Sequence, residues 1–186
     1  MFVLESQKSE DIPEIESLLD LVFGPDRRNK SSYRFRQGVA PIDELSFVAR
    51  SQGRLVGTIR YWPIAVGAER MPALLLGPLG VRPELEGLGI GAKLMTHSLQ
   101  QAKSLGHNLV CLVGDPLYYG RFGFEAGESF GLFMDGENER FQALKLDPNG
   151  PPTPAGRLTS NAKFKSSTRA TSRSTERGGG AGDRRG

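Results

Sequence analysis

Apolar positions along this chain follow two rhythms in alternation, and their order predicts a mixed α/β fold. Phe2–Glu5 alternates apolar and polar residues, the period of a strand. Ser9 opens Ser-Glu-Asp-Ile-Pro-Glu-Ile-Glu, a helix start with acids in the first turn and Pro13 early. Ile12, Ile15, Leu18, Leu19 and Val22 then share one face of that helix. Arg27–Gln37 is polar with Tyr33 and Phe35 interspersed, and predicts a second, weaker helix. Leu45–Arg50 and Leu55–Trp62 flank Ser51-Gln52-Gly53, a compact turn, and should pair as an antiparallel hairpin.

Met71–Val81 is apolar yet carries Pro72, Gly77, Pro78 and Gly80. Proline removes a ladder donor and glycine weakens strands, so a kinked or bulged strand is expected there. A long helix follows from about Gly89 to Leu105, stopped by Gly106, with Ile90, Leu94, Met95, Leu99, Ala102 and Leu105 at helical spacing. Leu109–Val113 is a short, fully apolar strand and Pro116–Arg121 a short helix. Phe122-Gly-Phe124 begins another strand; Phe130–Met134 and Phe141–Leu146 follow. The expected fold class is α/β: a mixed, largely antiparallel sheet of about six or seven strands with helices on both faces. Met71–Val81 should be central, and the helix after it should cross to a parallel neighbour, Leu109–Val113.

Organisation follows from where this patterning stops. One domain is expected over 1–146, then a Pro-rich linker with an added edge strand at Arg157–Phe164 over 147–165. Residues 166–186 are Ser, Thr, Arg and Gly without apolar periodicity, which predicts a disordered basic tail. A length of 186 residues suits one domain with a real core. Lys and Arg number 24 against 21 acids, and beyond Phe164 six basic residues face only Glu176 and Asp183. The surplus therefore sits in the tail, and nucleic acid is not an expected partner of the domain. No apolar run approaches the ~20 residues of a membrane helix. The opening Met-Phe-Val-Leu-Glu-Ser-Gln has no basic n-region before a long apolar stretch, so a secretory signal is not expected. A single cysteine, Cys111, closes no internal disulfide, and the expected compartment is the cytoplasm.

The chemistry concentrates in Gly80-Val-Arg-Pro-Glu-Leu-Glu-Gly-Leu-Gly-Ile-Gly-Ala-Lys93, which runs from the broken strand through a glycine-rich turn into a helix. The first amides of a helix lack internal acceptors and the macrodipole is positive there, so this is an anion site. Two cofactor classes use such a device. A dinucleotide fingerprint would take Gly87-x-Gly89-x-x-Ala92 with Asp115 as the ribose acid. Against it, Arg82–Glu86 separates strand from glycines, and no repeated strand–helix–strand pattern surrounds it. A Walker loop is excluded because no Gly-Lys-Ser/Thr ends the turn.

Val81-x-Pro83 followed by Glu86-Gly-Leu-Gly-Ile-Gly91 resembles motif A of the GNAT superfamily of N-acetyltransferases. Leu117-Tyr118-Tyr119-Gly-Arg-Phe-Gly-Phe124 is similar to that superfamily's closing motif, and with Gly114-Asp-Pro it resembles the YhbS-like bacterial branch. The resemblance spans Phe2 to Leu146. It implies that Leu79, Gly80 and Val81 lie on a strand splayed from its neighbour and bond the pantetheine arm of acetyl-CoA, a co-substrate. It implies that amides of Gly87, Leu88, Gly89, Ile90, Gly91 and Ala92 take the pyrophosphate, and that Tyr119 protonates the departing thiolate. An unperturbed phenol near 10 suits a leaving thiol near 8.5. The partner so implied is a small-molecule or peptide amine, with no metal, no membrane, and a homodimer allowed.

Two departures stand out. Position 86 is Glu where the superfamily prefers Gln or Arg, and Gly114-Asp115-Pro116 replaces the usual asparagine after the strand. Asp115 is a candidate to position an amine or a water. Glu86 and the missing base motivate an alternative, a catalytically weak acyl-CoA-binding module; nicotinamide-dependent redox chemistry is the third alternative. Tyr118 and Cys111 are expected to pack, and neither His97 nor His107 comes with a motif. Tyr61 and Trp62, at a strand end, fit either an acceptor pocket or the core.

Overall fold

The computed structural model describes residues 1–137 and 139–160. The tail predicted over 166–186 and the last residues of the expected edge strand lie outside them. In chain order the elements are β1 (Val3–Ser6), α1 (Ile12–Phe23), β2 (Phe47–Ser51), β3 (Arg54–Val66), β4 (Met71–Val81), α2 (Ile90–Ser104), β5 (Leu109–Val113), α3 (Pro116–Tyr119), β6 (Glu125–Ala126), β7 (Leu132–Phe133), β8 (Phe141–Lys145) and β9 (Gly156–Ser160). The sheet runs β1-β2-β3-β4-β5-β8-β6, and β9 joins it by pairing with both β3 and β7. Among the described residues only β4–β5 and β7–β9 are parallel. Strand β4 is central and α2 makes the crossover to β5, as the patterning predicts. A sheet with one strand–helix–strand unit lacks the doubly wound frame a dinucleotide fingerprint needs.

Period-two alternation puts a helix on each face. Val48 and Leu55 meet Ile15, Leu18 and Leu19 of α1. Phe47, Ala49, Val56, Leu74, Leu76, Val110 and Leu112 meet Ile90, Leu94, Met95, Leu99 and Ala102 of α2. Each fully buried Leu or Ile among these contributes about 1.5–3 kcal/mol relative to exposure. The β2–β3 loop has Gln52 at φ 50° and Gly53 at φ 77°, the left-handed pair that a two-residue hairpin requires.

Four local expectations are corrected. The segment from 25 to 35 forms two 3-10 turns, Pro25–Asn29 and Ser31–Phe35, with Lys30 extended between them. Side-chain bonds from Arg27 to Glu16, Asp20 and Tyr33 fold it back on α1 instead of letting a helix propagate. The strand expected from Phe122 starts only at Glu125, because Gly123 adopts φ 87°. Phe130 ends a 3-10 turn and Gly131 is left-handed, which cuts the next strand to Leu132–Phe133. Strand β9 is no edge strand: it lies between β3 and β7 and buries Leu158 in the core.

The site is set by a divergence. Register between β4 and β5 holds only at Leu74↔Val110 and Leu75↔Cys111. Pairing of β3 with β4 continues to Gly57↔Val81, with a bulge that sets Gly77 and Pro78 outside the ladder. From Leu76 onward, one edge of β4 therefore faces open space.

Candidate active site

A cavity of about 700 Å³ occupies this divergence. Its walls are Leu75–Leu79 and Val81 on β4, Val113 at the end of β5 with Gly114 and Asp115 after it, the start of α2, Tyr118 and Tyr119 on α3, and a wall from Val22 to Arg36 that carries Arg27, Tyr33 and Arg36.

At the α2 end the wall is backbone. Gly87 and Gly89 stand at φ 80° and 79°, a conformation that side chains resist and that turns the chain into the helix. The first amide of α2 with a backbone acceptor is that of Lys93, bonded to the carbonyl of Gly89, the residue before the helix, at 3.0 Å. The amides of Gly87, Gly89, Ile90, Gly91 and Ala92 have no backbone acceptor among the described residues. They gather at the positive end of a 15-residue helix, a place for a phosphate group. Glu86 lies exposed on the rim and pairs with no cation among the described residues. Of the residues named from sequence, Leu79, Val81, Gly87, Gly89, Ile90, Gly91, Ala92 and Tyr119 line this cavity, while Gly80 and Leu88 do not. Gly80 pairs with Thr58 and packs against Leu19, and Leu88 is 65% exposed. Ile90 offers only backbone, since its side chain is in the core.

Between the two ends stands Tyr119. The Asp115 carboxylate accepts the Leu117 amide at 2.9 Å and so caps α3, which carries Tyr118 and Tyr119 into the cavity. The two rings meet edge to face, 4.9 Å apart. A Cβ on Gly114 would lie 2.1 Å from the Tyr119 ring, so only glycine lets that ring sit where it does. Burial, then the neighbouring Tyr118, pushes the Tyr119 phenol up to about 12, while Arg140 opposes the rise. The sequence expectation of an unperturbed phenol is thereby corrected. Tyr118, expected only to pack, lines the cavity with its hydroxyl against Gly91.

The far end is built from side chains that sequence reasoning passed over. Arg27 is buried, with Glu16, Asp20 and the Tyr33 hydroxyl as partners. Behind it, lining a smaller neighbouring cavity, Arg60 is also buried and reaches Glu16 at 3.0 Å and Gln7 at 2.6 Å. Arg36 has no carboxylate partner: its Cζ lies 4.5 Å from the centre of the Tyr33 ring and 5.1 Å from that of Trp62. Burial pushes its guanidinium down to about 10, with Arg27 and Arg60 adding to the effect and Tyr33 opposing it. It remains charged at neutral pH. A crowding of arginine and aromatic residues over 27–36 is the only local signal of this wall. Tyr61 belongs to the core, its hydroxyl 2.8 Å from Ser98; Trp62 donates to the Val39 carbonyl and lines a smaller side cavity beside Arg36. Cys111 is fully buried, as expected.

Comparison with known proteins gives a consistent picture. A family profile described as an acetyltransferase (GNAT) domain matches residues 4–127. The Escherichia coli K12 protein named uncharacterized N-acetyltransferase YhbS is 28% identical over 144 residues, covering 73% of this chain and 82% of its own. The solved E. coli YhbS, in complex with CoA, aligns with a TM-score of 0.73 at 26% identity over 86% of this chain and 89% of that one. A GNAT family acetyltransferase from Brucella melitensis, solved with acetyl-CoA, aligns with a TM-score of 0.66 at 27% identity, over 87% of this chain and 97% of its own.

Proposed function

This chain belongs to the GNAT acetyltransferase family, and we propose that it moves an acetyl group from acetyl-CoA to a primary amine by direct transfer. The observation that carries this reading is one cavity holding an unpaired strand edge, a helix start with free amides, and Tyr119 between them. The relatives solved with CoA and acetyl-CoA support the choice of co-substrate.

In this reading the pyrophosphate rests over residues 87 to 92, where the helix dipole and the unpaired N–H groups of Gly87, Gly89, Ile90, Gly91 and Ala92 favour negative charge; Leu88, also named for this role, already donates its amide to the Leu85 carbonyl at 3.4 Å. The pantetheine arm extends along Leu79–Val81, Gly80 included, using backbone groups that β5 leaves unpaired. The neutral amine attacks the thioester carbonyl; a C–N bond forms, the C–S bond breaks, and nitrogen loses a proton while sulfur gains one. Tyr119 lies where a hydrogen bond to the departing sulfur is needed. A phenol near 12 facing a thiol near 8.5 is a poor final proton donor, by about 5 kcal/mol at 1.36 kcal/mol per unit. Its part is thus to donate a hydrogen bond to the developing thiolate while the nitrogen's proton makes up the balance. Asp115 and Glu137, both lining the cavity, are the carboxylates available to relay that proton through water.

We place the protein in the cytoplasm, where acetyl-CoA is made; no helix among the described residues is long and apolar enough to cross a membrane. The catalytic domain extends past residue 146 in this reading, since β9 completes the core. Calorimetry with acetyl-CoA, followed by thiol detection across a panel of amines, tests the proposal. Binding in about the 1 µM–1 mM range of enzyme substrates, with CoA released only when an amine is present, is expected. Binding without amine-dependent release would favour an acyl-CoA-binding module, and no binding ends both.

A further inference from the structure

The acceptor end of the cavity holds a cation, Arg36, with no carboxylate to pair it. Arg36 Nε is shielded from solvent and has no hydrogen-bond partner, and no carboxylate among the described residues pairs with the guanidinium. The Tyr33 hydroxyl near it is engaged by Arg27 Nη1. The nearby acids are already shared out: Glu16 is bonded to Arg27, Arg28 and Arg60, and Asp20 to Arg27. Buried charges are normally paired, and a guanidinium is a planar fork that fits a carboxylate by two parallel bonds. Stacking over Tyr33 and Trp62 fixes the orientation of this fork without supplying a carboxylate, and its Nε stays unused.

Its position identifies which ligand the fork serves. One Arg36 terminal nitrogen lies 3.3 Å from where a Cβ on Gly77 would stand. Gly77 precedes Leu79 on β4, so Arg36 stands on the far side of the pantetheine stretch from the turn that leads into α2. An anion at Arg36 is therefore not the cofactor's pyrophosphate.

We propose that the acetyl acceptor is a small amine that also carries a carboxylate, of the free amino acid class, and that Arg36 binds the carboxylate while the amino group faces the thioester. The inference rests on the acetyltransferase reading above. Arg36 is a specificity residue in it: the carboxylate supplies the missing countercharge, and an uncharged acceptor leaves the part-buried guanidinium without an anionic partner.

The test compares free amino acids with their own carboxamides and with simple alkylamines, by CoA thiol release, using the wild type, Arg36→Gln and Arg36→Lys. The wild type should favour amino acids over carboxamides by about 10- to 100-fold in kcat/KM, the size of a charge-assisted hydrogen bond. Arg36→Gln should remove that preference by slowing only the amino acids, and Arg36→Lys should keep part of it, since it retains the charge but loses the fork. Should either variant fail to fold, the wild-type preference alone decides. A wild type that uses carboxamides or alkylamines as well as amino acids, or that binds acetyl-CoA yet turns over none of them, overturns the inference. Absence of acetyl-CoA binding by calorimetry would instead bring down the acetyltransferase reading on which it rests.

Discussion

The two ends of the cavity are made of different material. The α2 end is backbone from one stretch, residues 79 to 92, shaped by the left-handed glycines 87 and 89 and by the divergence of β4 from β5. The opposite end is side chain, with Arg27, Tyr33 and Arg36 from the loop after α1 and Arg140 from the turn before β8. A backbone site depends on conformation, and conformation is dictated by glycine and proline placed close together in sequence. A side-chain site depends on residue type at positions that only the fold brings together. One end can therefore stay constant while the other changes its ligand.

Tyr119 stands where the two ends meet, and the largest effect is expected there. Tyr119→Phe should lower kcat by about 10²- to 10³-fold, as loss of a positioned hydrogen-bond donor to developing charge does, with acetyl-CoA affinity unchanged. Because burial favours the neutral phenol, it stays protonated as pH rises until its value of about 12 is approached. The kcat–pH profile should thus show no basic limb from Tyr119 below about pH 11. A limb near pH 9–10 that disappears in Tyr119→Phe would show an ordinary exposed phenol and erase the distinction between this ring and the solvent-facing rim. Gly114→Ala comes next. The added Cβ meets the Tyr119 ring at 2.1 Å, so the ring must move. Overpacking of about 1–3 kcal/mol would lower Tm by about 2–12 °C. Activity should fall with the ring's displacement while acetyl-CoA still binds. Equal loss of binding and turnover would mean that the two ends are not separable.

The same contrast explains what could be read from sequence. The Met71–Val81 strand, the Gly89–Leu105 helix and the Leu109–Val113 strand were legible because long apolar patterns with glycine or proline punctuation fix both type and limits. The cofactor end was legible for the same reason, down to seven of nine named positions lining the cavity. Gly80 and Leu88 missed the lining because a strand alternates faces and a turn throws one side chain outward, neither of which the motif spells out. Arg36 could not be found that way. Its partial burial follows from rings of Tyr33 and Trp62, and its lack of a carboxylate partner follows from Glu16 and Asp20 being engaged elsewhere. Those are tertiary facts. The short 3-10 turns after α1 were misjudged as a helix because the ion pairs that fold them back are tertiary too.

Gly89→Val sharpens the comparison from the backbone side. Space is open around Gly89, so the cost is purely conformational, about 1–2 kcal/mol for a side chain forced to φ 79°. Acetyl-CoA affinity should weaken by about 5- to 30-fold with the acceptor KM unchanged. Gly89→Asn, which tolerates the left-handed region better, should lose less. If acceptor KM rises instead, the turn shapes the wrong end of the cavity.

The smallest effect concerns Glu86, the charge that sits at the backbone end without belonging to its design. Its carboxylate is exposed on the rim next to Gly87, and a bound pyrophosphate would bring like charges together. Exposure keeps the penalty to that of a surface pair, about 0.3–1 kcal/mol. Glu86→Gln should therefore tighten acetyl-CoA binding by about 2- to 5-fold by calorimetry at low salt. The gain should shrink as salt rises, because the screening length falls from about 10 Å at 0.1 M to about 3 Å at 1 M. A variant that binds more weakly would assign Glu86 to holding a cation or the turn itself, and the α2 end would then depend on a side chain after all.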